Sequence, residues 1–133
     1  MFTNKRYAEA FELYTKAIEL SNEQTENVHI FYANRAISLM EMSKYSEALD
    51  DSKKAIELNP TYVKAYIWKA EAERELLMNE QALETLKKGL EIEESNEQLT
   101  KLYEDSKKEF DDDHKIPETD PSKIIFNNLE KWL

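Results

Sequence analysis

VHIFYANRAISLMEMSKYSEALDDSKKAIELNP, residues 28–60, is the stretch whose pattern returns 34 residues further along the chain. Aromatic, small and aliphatic residues recur in the same order, because Tyr32, Ala36, Ala48, Ile56 and Leu58 become Tyr66, Ala70, Ala82, Leu90 and Ile92. The small residue Ala55 becomes Gly89 on the same count. Upstream, KAIEL at Lys16–Leu20 returns at Lys54–Leu58 with an offset of 38, which is one period plus an insertion of four residues.

A helical repeat of this length has a physical interpretation. Each unit is a pair of antiparallel helices, and the small residues lie where the two helices press together. One pair cannot bury its apolar stripe alone, so neighbouring pairs stack into a curved array with a concave face that is free for a ligand. The single glycine and three prolines leave few helix breakers, which favours long helices over a strand-rich fold.

At these positions the chain resembles the tetratricopeptide repeat (TPR) family. The pattern of that family places an aromatic residue, a small residue, a second aromatic, two alanines and a proline in this order. The corresponding residues here are Tyr32, Ala36, Tyr45, Ala48, Ala55 and Pro60. The resemblance covers roughly residues 1–94 and implies an all-α fold, a TPR superhelix of antiparallel helix pairs with one partial and two full repeats plus a C-terminal end helix.

The domain organisation follows from the repeat and from the residues after it. We predict a TPR domain over residues 1–110, with a partial repeat 1 (1–24), repeat 2 (about 28–60), repeat 3 (about 61–94) and an end helix (95–110). Ser95 and Gln98 resemble a capping box that opens the end helix. In this alignment about ten residues that should open repeat 1 are missing, because Met1 and Phe2 take the places of Leu39 and Met40.

Residues 111–120 read as an acidic, proline-containing linker, and residues 121–133 as a short amphipathic helix. In that helix Ile125, Leu129 and Trp132 fall on one stripe, so an isolated helix would leave large apolar side chains in water. We expect it to dock on an apolar surface. The sequence leaves three alternative docking surfaces for it. They are the face of the first helix around Tyr14, the concave groove, and a following domain. Self-association through this helix is a further expectation, and the oligomeric state stays open.

The charge balance narrows the class of partner. The net charge is −10, and residues 71–113 hold 15 acidic but only 6 basic side chains. Nucleic-acid binding needs clustered Lys and Arg, so we expect no nucleic-acid partner. The chain has no stretch of 18 apolar residues and its start lacks the apolar run of a signal peptide, so we expect no membrane partner and a cytoplasmic location.

Few residues of the chain are of types that serve in catalysis, metal binding or phosphate binding. The chain has no cysteine, and His29 and His114 are its only histidines. No pair of histidines has a spacing that suits a metal, and the single glycine excludes a glycine-rich phosphate loop. We therefore predict a protein that is not an enzyme, with no catalytic residue, no metal and no cofactor.

The remaining candidate for a functional site is the concave face, which in the TPR architecture is lined by the first helix of each pair. The residues that this places in the groove are Ile30, Ala33, Asn34, Ile37 and Glu41 from repeat 2, and Lys64, Ile67, Trp68, Glu71 and Arg74 from repeat 3. Co-chaperones of the TPR family bind the C-terminal Glu-Glu-Val-Asp of heat-shock proteins 70 and 90 through a carboxylate clamp of Lys, Asn and Arg. The resemblance implies that Asn34 and Lys64 are two of the five clamp residues, and that the partner is such a C-terminal peptide.

The match to the clamp is incomplete, and alternatives stay open. The Arg that the clamp has one turn after Lys64 is Trp68 here, and the two residues from repeat 1 would precede Met1. Asn34 followed by Arg35 also occurs as framework in TPR repeats, and Lys64 has the alternative role of a solvated lysine. The second function hypothesis is therefore a TPR scaffold for an unrelated partner, or the regulatory TPR module of a larger enzyme.

Overall fold

A computed structural model describes residues 4–113, which form six α-helices joined by short turns. The helices are α1 (Asn4–Leu20), α2 (Val28–Glu41), α3 (Tyr45–Leu58), α4 (Val63–Glu75), α5 (Asn79–Ile92) and α6 (Glu97–Asp113). No strand lies between residues 4 and 113, so the all-helical prediction is confirmed. α2 with α3 and α4 with α5 are the two full helix pairs, α1 is the second helix of the partial repeat, and α6 is the end helix.

The start of α6 differs from the sequence prediction by one residue. Asn96, not Ser95, caps the helix, because its side-chain Oδ1 accepts a hydrogen bond of 2.9 Å from the backbone N–H of Leu99. That bond satisfies one of the free N–H groups in the first turn, which is the role of an N-cap residue. The capping box predicted from Ser95 and Gln98 is therefore wrong in its register.

The end of α6 also differs, because the helix continues through Asp113 and so includes the first three residues of the predicted linker. Acidic side chains are unfavourable near the negative end of a helix dipole. Lys107 and Lys108 lie one turn before Asp111 and Asp112 on the same helix, and opposite charges at that spacing offset the penalty. Residues 114–133 lie outside the described residues, and these include the predicted helix 121–133.

The turns inside the two full pairs share one backbone geometry. Ser43 and Leu77, which are 34 residues apart, both have a positive φ, of 60° and 62°. In each turn the following N–H reaches back to the helix, from Lys44 to the carbonyl of Leu39 and from Met78 to the carbonyl of Glu73, both at 2.8 Å. This is the Schellman arrangement that usually carries glycine at the positive-φ position. The repeat therefore extends to backbone conformation at positions where the side chains are unrelated.

The small residues of the repeat lie in the helix contacts. Ala36 and Ala48 are fully buried in one cluster with Leu39 and Leu49, and Ala72 of the next pair completes it. Gly89 shows how close the approach is, because a Cβ at this position would lie 3.3 Å from the Cβ of Tyr66 and 3.1 Å from a methyl of Leu99. Small side chains are therefore required where α3 meets α2 and where α5 meets α4 and α6.

A polar contact joins three helices at the N-terminal end of the array. Arg35 of α2 donates two hydrogen bonds of 2.7 Å to Asp51 of α3, one from Nε and one from Nη2. Its Nη1 reaches Thr15 of α1 at 3.3 Å, and its guanidinium lies 5.6 Å from the ring centroid of Phe11. The hydrogen bond to Asp51 raises the pKa of Arg35, and burial opposes that rise. The fork geometry fixes the angle of α2 against both neighbours.

We predict that Asp51→Ala lowers the free energy of unfolding by about 2–4 kcal/mol, because it leaves the guanidinium of Arg35 without its partner in a mostly buried place. The side chain of Asp51 is 8% exposed and that of Arg35 is 19% exposed. The control is Asp50→Ala, which removes the same charge from the exposed neighbouring position. Urea unfolding monitored by circular dichroism measures both. Equal losses in the two variants would contradict a specific role for the pair.

Candidate functional site: the inner face of the helix array

The first helices of the pairs form a continuous inner layer. α2 contacts α4, and α4 contacts α6, whereas α1, α3 and α5 make no contact with one another within residues 4–113. An array in which only one set of helices touches must curve toward that set. The inner, concave face is therefore made by α2, α4 and α6, and it is the surface on which the sequence places the site.

The two clamp-like residues lie on adjacent inner helices. Asn34 is half-buried in the middle of α2, and Lys64 is the exposed second residue of α4. Lys64 makes no ion pair within the part of the chain that the structure describes, so its ammonium group is available to a ligand. An amide donor and an ammonium donor on neighbouring helices are suitable groups for binding a carboxylate.

The apolar part of the predicted site divides into exposed and buried members. Ile30, Ile37 and Trp68 are half-buried and so present surface to a ligand. Ala33 and Ile67, which the sequence also placed in the groove, are only 2% and 4% exposed and so present little surface to a ligand. Ala33 packs against the alanines of α3 and α4, and Ile67 packs against α5 and α6.

Glu71 and Arg74 lie at the other end of α4, away from Lys64. With Glu75, Leu77 and Glu109 they enclose a cavity of about 330 Å³. Arg74 donates a hydrogen bond of 2.7 Å from Nη2 to Glu109, so its charge is already paired with α6. Burial raises the pKa of Glu71, and the charge of Arg74 acts against that rise. This end of the inner face is acidic, and it contrasts with the end that carries Asn34 and Lys64.

The structure adds residues that the sequence did not assign to the site. Asn34 and Ile37 of α2 line a cavity of about 290 Å³ whose other wall is α1, with Arg6, Tyr7, Ala10 and Tyr14. No spacing rule of the repeat connects residue 6 with residue 34, so the sequence did not assign these α1 residues to the site. Glu109 was missed because the sequence analysis gave the end helix no part in the site.

The described part of the chain contains neither a candidate metal centre nor a candidate membrane span. Within residues 4–113 no three His, Cys, Asp or Glu side chains cluster as metal ligands would. No helix in that range is both long enough and apolar enough to cross a bilayer.

Comparison with known proteins places this geometry in a family. The tetratricopeptide repeat pattern matches residues 30–62. Protein STIP1 homolog from Dictyostelium discoideum is 38% identical over 105 residues, which are 79% of this chain and 18% of that protein. The chain therefore spans less than a fifth of the length of this relative.

Two solved structures match most of the fold. The TPR2B domain of yeast Sti1, in a complex with pHsp70, is 30% identical with a TM-score of 0.70, over 79% of this chain and 86% of that one. The first TPR of Spaghetti (RPAP3), bound to the HSP90 peptide SRMEEVD, is 27% identical with a TM-score of 0.72, over 80% of this chain and 81% of that one. The 34-residue period, the paired helices and these similarities agree, and the chain belongs to the tetratricopeptide repeat family.

Proposed function

We propose that this chain is a co-chaperone-like protein-interaction module that binds the acidic C-terminal peptide of heat-shock protein 70 or 90 on its inner face. The observation that carries the proposal is the similarity to a TPR domain bound to the peptide SRMEEVD, together with Asn34 and Lys64 on adjacent inner helices. The proposal describes a binding protein without catalytic activity, cofactor or metal, and with a cytoplasmic location. It includes no nucleic acid and no membrane as partner.

The chemistry of recognition follows from the residues at this end of the groove. Lys64 supplies a hydrogen bond to a carboxylate from a charged donor, and the amide of Asn34 supplies one from a neutral donor. Ile30, Ile37 and Trp68 offer apolar surface for the aliphatic side chains of the peptide. The acidic cavity at Glu71 and Glu109 repels the carboxylates of the ligand, so it favours binding with the carboxyl terminus near Lys64.

The affinity of this chain is expected to be modest. Trp68 stands at the position where the clamp pattern has an arginine, and an indole cannot form the bidentate bond of a guanidinium to a carboxylate. Trp68 also favours a second candidate function, in which the same groove binds an unrelated partner, or serves as a regulatory module of a larger enzyme. Such a partner would place an apolar group on Trp68 in place of a second carboxylate.

We predict that Lys64→Ala weakens binding of the peptide SRMEEVD about tenfold, which corresponds to about 1.4 kcal/mol and to the loss of one charge-assisted hydrogen bond. Lys87→Ala is the matched control, because Lys87 is also exposed but lies on the outer helix α5. Fluorescence anisotropy of a labelled peptide measures both affinities. If Lys64→Ala binds as tightly as the control, Lys64 has no part in the site.

We predict that Trp68→Arg strengthens binding of the same peptide about tenfold, because it places a guanidinium one turn after Lys64. Trp68→Gln separates the gain of charge from the loss of the indole and is expected to bind no better than the parent chain. The same anisotropy titration reports both variants, and thermal unfolding checks that each stays folded. A gain in the glutamine variant, or none in the arginine variant, would count against a carboxylate near residue 68.

A further inference from the structure

The inner helices carry a glutamate at the same position of the repeat. Glu41, Glu75 and Glu109 are 34 residues apart and lie on α2, α4 and α6. Glu41 and Glu75 are the last residues of their helices, where a negative charge is unfavourable against the helix dipole. Neither of these two makes a hydrogen bond or an ion pair within residues 4–113. The stability of the helices therefore does not account for the recurrence of glutamate.

Two of these glutamates, Glu75 and Glu109, line the 330 Å³ cavity at this end of the inner face, together with Glu71, Arg74 and Leu77. Arg74 donates its hydrogen bond to Glu109, so Glu71 and Glu75 have no hydrogen-bonded cation in the described part of the chain. Glu71 is half-buried, and this burial raises the pKa of its carboxyl group. A cationic group in the cavity would stabilise the ionised carboxylate through a charge-assisted hydrogen bond.

The wall of the cavity also has an apolar part, which narrows the kind of cation that fits. Leu77 is 82% exposed and borders the same space as the carboxylates. Lys and Arg side chains pack their methylene stems along apolar surface and hold the charged head at polar groups. The volume is at the lower end of the range of ligand pockets, about 300–1,000 Å³, which suits one long side chain better than a whole small molecule. The cavity is therefore complementary to an arginine or lysine side chain of a ligand.

The distance between Lys64 and the cavity determines which residue of a ligand reaches it. Glu71 and Glu75 follow Lys64 by seven and eleven residues on one face of α4. At a rise of 1.5 Å per residue, they lie about 10 Å and 16 Å from Lys64 along the helix axis. An extended peptide rises about 3.3 Å per residue. With the C-terminus of the ligand near Lys64, the residues about three to five places earlier are level with the cavity.

The two peptides bound by related domains differ at this level. SRMEEVD has an arginine five residues before its C-terminal aspartate. The HSP70 peptide SGPTIEEVD, in a complex with the second TPR domain of human RPAP3, has a threonine there and no basic residue. We propose that the cavity at Glu71 and Glu75 is a subsite for a basic side chain about five residues before the C-terminus of the ligand. This inference rests on the proposed function, since it assigns a direction and a side-chain preference to the same ligand.

The test is a double-mutant cycle between the chain of residues 1–133 and the peptide, at about 0.15 M salt, where screening limits the effect of distant charges. Three peptides are compared by anisotropy, which are SRMEEVD, SQMEEVD with glutamine in place of arginine, and SGPTIEEVD. Glu71→Gln and Glu75→Gln are each expected to weaken SRMEEVD about two- to fivefold, the range of an exposed ion pair, and not to weaken the other two. Glu84→Gln, at an exposed position of the outer helix α5, is the control and is expected to change none of the affinities.

The outcomes separate this inference from the function on which it rests. If the two variants weaken all three peptides equally, or none of them, the pairing with arginine is overturned while the function stands. If the parent chain binds none of the peptides, the proposed function fails and this inference fails with it. Glutamine has the shape of glutamate, and thermal unfolding checks that each variant stays folded.

A peptide with a shifted arginine tests the position of the subsite. SMREEVD has the composition of SRMEEVD, but its arginine is one residue closer to the C-terminus, and successive side chains of an extended chain point to opposite sides. The double variant Glu71→Gln/Glu75→Gln is expected to weaken SRMEEVD about threefold or more and to leave SMREEVD nearly unchanged. An equal loss for both peptides would show a response to overall charge alone. No loss for either would show that the ligand lies elsewhere or that another segment fills the cavity, and each of these results would overturn the proposal.

Discussion

The close contact of helices at small residues is the constraint on which the rest of the molecule depends. Ala36, Ala48, Ala70 and Ala82 are fully buried, and they recur with the 34-residue period. Because the helices meet at these positions, the larger residues around them interdigitate in continuous clusters that join one pair to the next. The curvature and the inner face follow from this stacking, so the site exists only because alanine and glycine hold these places.

A second regularity is polar and has the same period. Arg35 and Asp51 pair across α2 and α3, and 34 residues later Lys69 and Thr85 bond across α4 and α5 at 2.7 Å. In the second pair the buried Glu73 accepts a hydrogen bond of 2.6 Å from Thr85, so the polar groups inside the contact satisfy one another. Without these hydrogen bonds, each buried polar group would carry the free-energy cost of its desolvation. Hydrogen bonds across the helices at one repeat position therefore fix the angle between the two helices of each pair. They thereby set the orientation of the inner helices.

The fold could be predicted because its determinants are local and repeated. Tyr45 and Pro60 mark the limits of α3 and of its repeat, and the period alone assigns α4 and α5. The residues of the site were harder to predict from the sequence. The same helical period that puts Asn34 on the inner face also puts the buried residues Ala33 and Ile67 there. Side chains only a residue apart point to different neighbours, and burial against α3, α5 and α6 was needed to separate them. The cavity between Arg6 and Asn34 depends on the level of α1 against α2, which no repeat spacing specifies, because α1 lies before the four-residue insertion.

The central claim is that the inner face recognises a free C-terminal carboxylate. The most direct measurement compares binding of SRMEEVD as the free acid and as the C-terminal amide, by anisotropy at low and at moderate salt. The account predicts that the amide binds at least tenfold more weakly, and that added salt weakens the free acid more than the amide, because charge-assisted bonds carry the difference. Equal affinities of the two peptides, or the same dependence on salt, would contradict it.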